Sequence, residues 1–197
     1  MIMLYGRLQI GIFFIVVGLI AGVYGIISVI DLKKTPLNLN TLSEEQIEKG
    51  CVVEGDICYN LGKYAHQGNI WDAFIVPLGN NSYYGLHVRT AEIHSELMQQ
   101  SRDTIEYIND QSKSTQSVHI KGKITSMSSN EYSMMSSYLS EAGFSDDEIQ
   151  KYVKGLYIKE LDPNLANVRV LLGVPMIFIG LGLIIFEIRE KNANKNA

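Results

Sequence analysis

Two long uncharged stretches dominate the hydrophobic pattern of this chain of 197 residues. Residues 8–30 form a run of 23 residues without a charge, and residues 170–186 form a second run of 17. A helix rises about 1.5 Å per residue, so each run reaches across most or all of a hydrocarbon core about 30 Å thick. We therefore predict one transmembrane helix at residues 8–30 and a second at residues 163–187, counting its lead-in.

Between these runs, after a linker at residues 31–40, the pattern changes to short alternating and helical segments. Alternation of apolar and polar residues predicts strands, and apolar residues spaced by three and four predict helices. The predicted strands are residues 51–63, 70–78, 83–90, 118–125 and 156–161. The predicted helices are residues 43–49, 91–109, 131–142 and 146–154. We predict turns at residues 66–69 and 79–82 and a polar loop at residues 111–117.

The order of these elements predicts an α+β fold. A helix between the third and fourth of five strands is typical of the oligonucleotide/oligosaccharide-binding (OB) fold. We therefore expect residues 41–162 to form a small OB-like five-stranded β-barrel with inserted helices, and an open α+β sheet is the alternative. In the helix at residues 91–109, we expect an apolar stripe to face the core, made of Ile93, Leu97, Ile105 and Ile108.

Glycines recur at regular intervals in both apolar runs. The first run has three glycines seven residues apart with a fourth among them, and the second has two glycines seven apart; they are Gly11, Gly18, Gly22 and Gly25, and Gly173 and Gly180. Small residues let helix backbones approach closely in lipid. We predict that the two helices pack on each other through these glycines, and the alternative is a homodimer formed through one of the two seams.

The distribution of charge sets expectations for partners and for membrane sidedness. Between residues 31 and 168, acidic residues outnumber basic ones by 19 to 12, which argues against nucleic acid as a partner. The tails are basic, and cationic residues favour the cytoplasm. We therefore predict a two-pass protein of the cell membrane, with the short N-terminus at residues 1–7 and the tail at residues 188–197 both cytoplasmic, and with the domain extracytoplasmic.

Two cysteines lie in the domain, Cys51 and Cys58. On one strand, residues seven apart face opposite sides of the sheet. We therefore favour two unpaired thiols over a disulfide.

No catalytic motif stands out in the sequence. It contains no HExxH pair, no glycine-rich phosphate loop and no Gly-x-Ser-x-Gly elbow, so we predict no catalytic residue, metal or cofactor. The candidates for ligand binding are basic residues on outward strand positions, His87 and Arg89 on the third strand and His119, Lys121 and Lys123 on the fourth. If these strand faces are close, they form a basic patch for an anionic ligand or a lipid head group.

Two segments of the domain carry a family resemblance. They are Gly50-Cys-Val-Val-Glu-Gly-Asp-Ile-Cys-Tyr and the later Val118-His-Ile-Lys-Gly-Lys-Ile. With the two-span arrangement, they resemble an uncharacterised family of two-span membrane proteins from Gram-positive bacteria, a domain of unknown function. The resemblance implies architecture and lineage, and it implies no activity.

The main functional hypothesis is therefore a non-enzymatic protein anchored in the membrane. It would present its domain for protein interaction or ligand sensing in the cell envelope, with the bilayer and a membrane-protein partner or second copy as its partners. One alternative is an envelope enzyme or lipid-head-group-binding protein that uses the His/Arg/Lys strand face. Another is an accessory subunit of a transporter or other membrane complex.

Overall fold

The computed structural model describes residues 2–68, 70–79, 82–110 and 115–195. Asn69, Asn80 and Asn81 of the predicted turns, residues 111–114 of the predicted loop, and the ends of both tails lie outside the described residues. The chain divides into two compact units, one made of Met1–Lys33 with Asp162–Ala197 and the other of Lys34–Leu161.

The first unit is a pair of helices, α1 (Ile2–Lys33) and α5 (Pro163–Lys195). Both are long and apolar enough to span a membrane. Their large apolar side chains point away from the protein; Phe13 is 62% exposed, Leu171 71% and Phe178 68%. Contiguous exposed apolar surfaces of this size mark sites of contact with a membrane or with another protein.

The two helices run antiparallel, because Gly11 lies against Gly180 while Gly25 lies against Val170. A Cβ atom added to Gly18 would lie 2.8 Å from the carbonyl oxygen of Gly173, and one added to Gly180 would lie 2.6 Å from the carbonyl oxygen of Gly11. Only glycine fits where two backbones approach this closely.

Gly22 joins the same seam from the other side. A Cβ atom added to Gly22 would meet no other atom within 4 Å. A Cβ atom added to Gly173, however, would lie 2.7 Å from the backbone nitrogen of Gly22. At one end of the pair, Arg7 forms a salt bridge of 3.1 Å with Glu190 and lies over the ring of Phe186. The glycine seam and this end contact fix one antiparallel register.

The second unit is built on a seven-stranded mixed sheet in the order β1-β2-β6-β7-β5-β4-β3. Its strands are β1 (Leu37–Asn38), β2 (Val52–Ile57), β3 (Gly62–Gln67), β4 (Trp71–Leu78), β5 (Ser82–Val88), β6 (Val118–Ser126) and β7 (Val153–Glu160). Its helices are α2 (Ala91–Asn109), α3 (Ser129–Glu141), α4 (Asp146–Tyr152) and a single 3-10 turn at Glu44–Gln46, where a longer helix was predicted.

This arrangement confirms the α+β class and corrects the predicted barrel. In the described residues the ladders form an open sheet, the alternative of the sequence analysis, and not a closed five-stranded barrel. Two additional strands raise the number from the predicted five to the observed seven. The predicted strand at residues 51–63 divides into β2 and β3, and part of the predicted linker pairs in parallel with β2 as β1.

The sheet is nevertheless strongly curled. β2 and β3 are five inter-strand steps apart in the order, which in a flat sheet would separate them by about 24 Å. Only residues 58–61 connect them, and the five Cα steps from Ile57 to Gly62 span at most about 18 Å. The short connection therefore requires the two ends of the sheet to bend towards each other.

Both faces of the curled sheet are covered at β4, where Ala73, Phe74, Ile75 and Val76 are fully buried. The main core on one face joins residues of five strands, β2, β4, β5, β6 and β7, with Leu97 of α2. The smaller core on the other face packs Ile75 against α3 and α4. Burial on both faces explains why β4 reads as a continuous apolar run, as in sheets with two covered faces.

A buried polar cluster holds the connection between β2 and β3 against α2. The amide of Asn60 donates to the carbonyl of Leu97 and to Oε1 of Gln100, both at 2.9 Å. Gln100 in turn donates to the carbonyls of Ile57 and Gln116. Asn60 and Gln100 are fully buried, so each of these groups depends on the others for hydrogen bonds.

This cluster also corrects the predicted apolar stripe of α2. Leu97, Gln100 and Thr104 form the buried side of the helix, whereas Ile105 and Ile108 are 57% and 65% exposed. The C-terminal half of the helix therefore faces the sheet through polar groups, which a search for apolar periodicity does not detect.

Replacing Gln100 tests this role. We expect Gln100→Ala in the full-length protein to lower the free energy of unfolding by roughly 2–3 kcal/mol, because buried partners lose their hydrogen bonds. The matched control is Gln99→Ala, one residue along on the exposed side of α2, for which we expect a change under about 0.5 kcal/mol. Denaturant unfolding measures both, and equal effects would contradict the role of the cluster.

Candidate functional site on the outer face of the sheet

The predicted basic residues lie on one face of the sheet, but on strands that are not neighbours. In register, His87 of β5 pairs with Lys159 of β7, and Lys159 pairs with Lys123 of β6. Cross-strand partners project to the same side. We call the side that carries His87, Lys159 and Lys123 the outer face, because it lies opposite the main core. Arg89 comes directly after the last residue of β5, and its positive charge acts on His87 and Tyr157 of this face.

On β6, the predicted basic patch is a ladder of mixed charge. His119 Nδ1 lies 2.8 Å from Asp56 Oδ1, and Lys121 Nζ lies 3.1 Å from Glu54 Oε2. The hydrogen bond from Lys121, followed by that from His119, lowers the pKa of Glu54. The hydrogen bond to Asp56 raises the pKa of His119, with Glu54 adding and burial opposing. The carboxylates of β2 therefore offset the positive charge at this edge of the outer face.

His87 is enclosed, whereas the sequence analysis expected it to project outward. Its ring stacks on Trp71 at 4.4 Å between centroids and on Tyr157 at 3.9 Å, with interplanar angles of 7° and 22°. Nε2 lies 3.0 Å from Oε1 of Glu131, without the alignment of a hydrogen bond. The histidine is 7% exposed because these residues from β4, β7 and α3 cover it.

The enclosure of His87 changes its acid–base behaviour. Burial, opposed by Glu131 and assisted by the charges of Lys159 and Arg89, lowers the pKa of His87 to about 4. The ring is therefore neutral at pH 7. Burial also raises the pKa of Tyr157 and, more strongly, that of Tyr64, so the aromatic groups here carry no charge.

Glu131 and Glu160 fix helix ends beside this site. Through Oε2, Glu131 accepts from the backbone N–H of Ser128 at 2.9 Å and so completes the capping box of α3. Glu160 of β7 accepts from the backbone N–H of Arg89 at 2.6 Å and of Thr90 at 3.1 Å, where α2 begins. Carboxylates are favourable at helix N-termini. Arg89 is thereby held at a fixed point at the end of β5.

Several residues of the site were missed by the sequence analysis. Lys159 and Tyr157 alternate with the buried Ile158 in the last strand, so the period of that strand was a usable signal. Trp71 and Glu131 had no such signal, because only tertiary packing brings them to His87. Among the described residues, no group of three or more His, Cys, Asp or Glu could hold a metal, and both cysteines are free thiols.

Comparison with known proteins gives one match. A family model described as a domain of unknown function, DUF8577, matches residues 3–188. The chain belongs to this family. The match covers both apolar helices and the domain between them, so DUF8577 comprises the whole arrangement. No match was found among curated proteins, and none among solved structures.

Acid titration tests the enclosure of His87. Its lowered pKa means that the unfolded chain binds a proton near pH 6.5 and the folded chain only near pH 4, so stability is lost as the pH falls through this window. We expect this difference in pKa to contribute about 3 kcal/mol to the free energy of unfolding at neutral pH. We expect His87→Gln to reduce the loss of stability that occurs in acid.

His119→Gln is the matched control with the opposite sign. Because the folded-state pKa of His119 is raised, its contribution is present at low pH and lost as the pH rises. Denaturant unfolding of both variants between pH 4 and 8 measures the two slopes. Acid sensitivity in His87→Gln equal to that of the unaltered protein would contradict the enclosure.

Proposed function

We propose that this DUF8577 protein is a non-enzymatic, two-pass membrane protein that presents its domain outside the cell membrane, for protein interaction or ligand sensing in the envelope. The observation that carries the proposal is the outward exposure of apolar side chains along both α1 and α5. A bilayer would cover this surface and the glycine seam would join the two helices.

The proposed sidedness rests on the tails. Arg7, Arg189 and Lys191 flank the apolar segments on the side of the termini, and cationic flanks favour the cytoplasm. The domain would then be extracytoplasmic. An origin in the envelope of Gram-positive bacteria is part of this proposal.

A binding role is favoured over catalysis by the positions of the histidines. His87 and His119 lie on strands that have β7 between them, and each contacts a different carboxylate. General acid–base chemistry needs its groups within hydrogen-bond reach of one substrate atom. A neutral histidine enclosed between two aromatic rings is suited to holding the neighbouring side chains of a binding surface in place, and it is poorly suited to proton transfer.

We further propose that the domain is OB-like in its connectivity. The short connection from β2 to β3, the parallel pairing of β5 with β7 and the position of α2 between β5 and β6 all support this. Small curled sheets of this kind bind ligands on a strand face.

Lipid-head-group binding is the second candidate. Lys159 lies in register between Lys123 and the neutral His87, so the two lysines form a short basic row across β6 and β7. Lysine and arginine side chains attract anionic groups at a membrane surface. On β2, the carboxylates of Glu54 and Asp56 lie opposite Lys121 and His119 and offset their positive charge. The attraction is therefore limited to the part of the outer face near β5 and β7.

The native cysteines provide a test of sidedness. Cys58 is exposed, so in a Cys51→Ser chain it reports the side of the domain. We expect a membrane-impermeant maleimide to label Cys58 in intact cells. The control is a chain with Cys51→Ser, Cys58→Ser and Asn192→Cys, which we expect to be labelled only after lysis. The reverse pattern would put the domain in the cytoplasm and overturn the proposal.

A further inference from the structure

An open groove of about 540 Å³ runs between α1 and α5, at the end of the helix pair where α1 ends and α5 begins. Cavities that bind small ligands have volumes of about 300–1,000 Å³, so the groove is large enough for one. All but one of its lining residues are aliphatic, so a ligand that fills it must itself be mainly apolar. The lining residues are Ile26, Val29 and Ile30 of α1, and Asn167, Val168, Val170 and Leu171 of α5.

The lining changes from apolar to polar along the helix axes. Ile26 and Leu171 lie within the uncharged runs at residues 8–30 and 170–186, whereas Asn167 lies three residues outside the second run. Three helical residues correspond to about 4.5 Å. In the proposed membrane, the aliphatic part would therefore lie at the level of the acyl chains, and the amide of Asn167 at the level of the head groups. A phospholipid has its apolar and polar parts in the same order.

A positive charge extends the polar end of the groove on the side of α1. Lys33, in the last turn of α1, follows Val29 by four residues and Ile30 by three, so it lies on the same side of the helix as these lining residues. Lys33 is exposed, and among the residues that the structure describes no acidic side chain pairs with it. Lysines close to a membrane surface attract anionic lipid head groups.

The acidic residues at this end of the helix pair do not oppose such a ligand. Oδ1 of Asp162 accepts from the backbone N–H groups of Asn164 at 2.8 Å and Leu165 at 3.2 Å, and so caps the first turn of α5. Asp31 of α1 is buried. Neither carboxylate lines the groove, so the lining presents no negative charge.

We propose that the groove binds an anionic phospholipid, with an acyl chain between α1 and α5 and the phosphate group near Lys33 and Asn167. The inference rests on the membrane anchoring proposed above, and it adds a lipid class and a site. It uses none of the residues of the basic row on the domain. A second copy inserted in the same direction is a poorer occupant, because it would bring another Lys33 to the same membrane level, where like charges repel.

Fluorescence quenching by brominated lipids tests the site in the full-length protein reconstituted into vesicles. Leu171→Trp places a reporter in the lining, and Leu172→Trp, at another exposed leucine of α5, places one outside it. The native Trp71 lies in the domain, and the unaltered protein measures its background signal. At position 171 we expect brominated phosphatidylglycerol to bind about fivefold more strongly than brominated phosphatidylcholine. At position 172 we expect the two lipids to bind equally.

Charge variants of the Leu171→Trp protein test the role of Lys33. Lys33→Gln should reduce the preference for phosphatidylglycerol to less than about twofold, because the attraction of one lysine for the head group is lost. Arg169→Gln is the matched control, since it removes one positive charge from a residue of α5 that does not line the groove. We expect it to preserve the preference.

Three results would overturn the inference. One is equal binding of the two lipids at position 171, and another is a preference that Lys33→Gln leaves unchanged. The third is weak quenching by both lipids at position 171 beside strong quenching at position 172, which would mean that a second copy covers the groove.

Failure of the lipid site is distinguishable from failure of the proposed membrane anchoring. If the helices span the bilayer without a specific site, both brominated lipids should quench both reporters to the same extent. If the helices do not enter the bilayer, neither lipid should quench either reporter, and the proposed anchoring would be contradicted together with the site.

Discussion

The close contact of two helix backbones is the interaction on which this structure depends most. In the bilayer that we propose for them, lipid tails are as apolar as the helix surfaces, so the hydrophobic effect would contribute little to the association of α1 with α5. Close packing at Gly18, Gly173 and Gly180 instead provides a favourable interaction between the helices, because no side chain separates the backbones there. The outward faces of the pair are apolar, as the proposed lipid environment requires.

A second constraint, inside the domain, is the short connection between β2 and β3. It forces the sheet to curl, and the curl creates one concave side for the main core and an opposite side that carries His87 and the basic row. The buried Asn60 and Gln100 hold this connection to α2. The curled shape of the sheet therefore depends on this connection of four residues.

The extent to which sequence predicts this structure differs between its parts for physical reasons. The two apolar helices and α2 at residues 91–109 follow from local patterns, and the structure confirms them. The break between β2 and β3 does not, because Asn60 finds its partners about 40 residues away. His87 was predicted to be exposed, because its covering residues come from three other elements.

The most direct test of the account is a cross-link between the helix ends. In a Cys51→Ser, Cys58→Ser chain, the changes Arg7→Cys and Glu190→Cys put thiols where the salt bridge joins α1 and α5. We expect a short bismaleimide to link them in membranes. Adding Gly180→Leu should abolish the link, whereas Gly182→Leu, with open space around its Cβ, should preserve it. Linking that is absent at the outset, or that survives Gly180→Leu, would contradict the glycine seam.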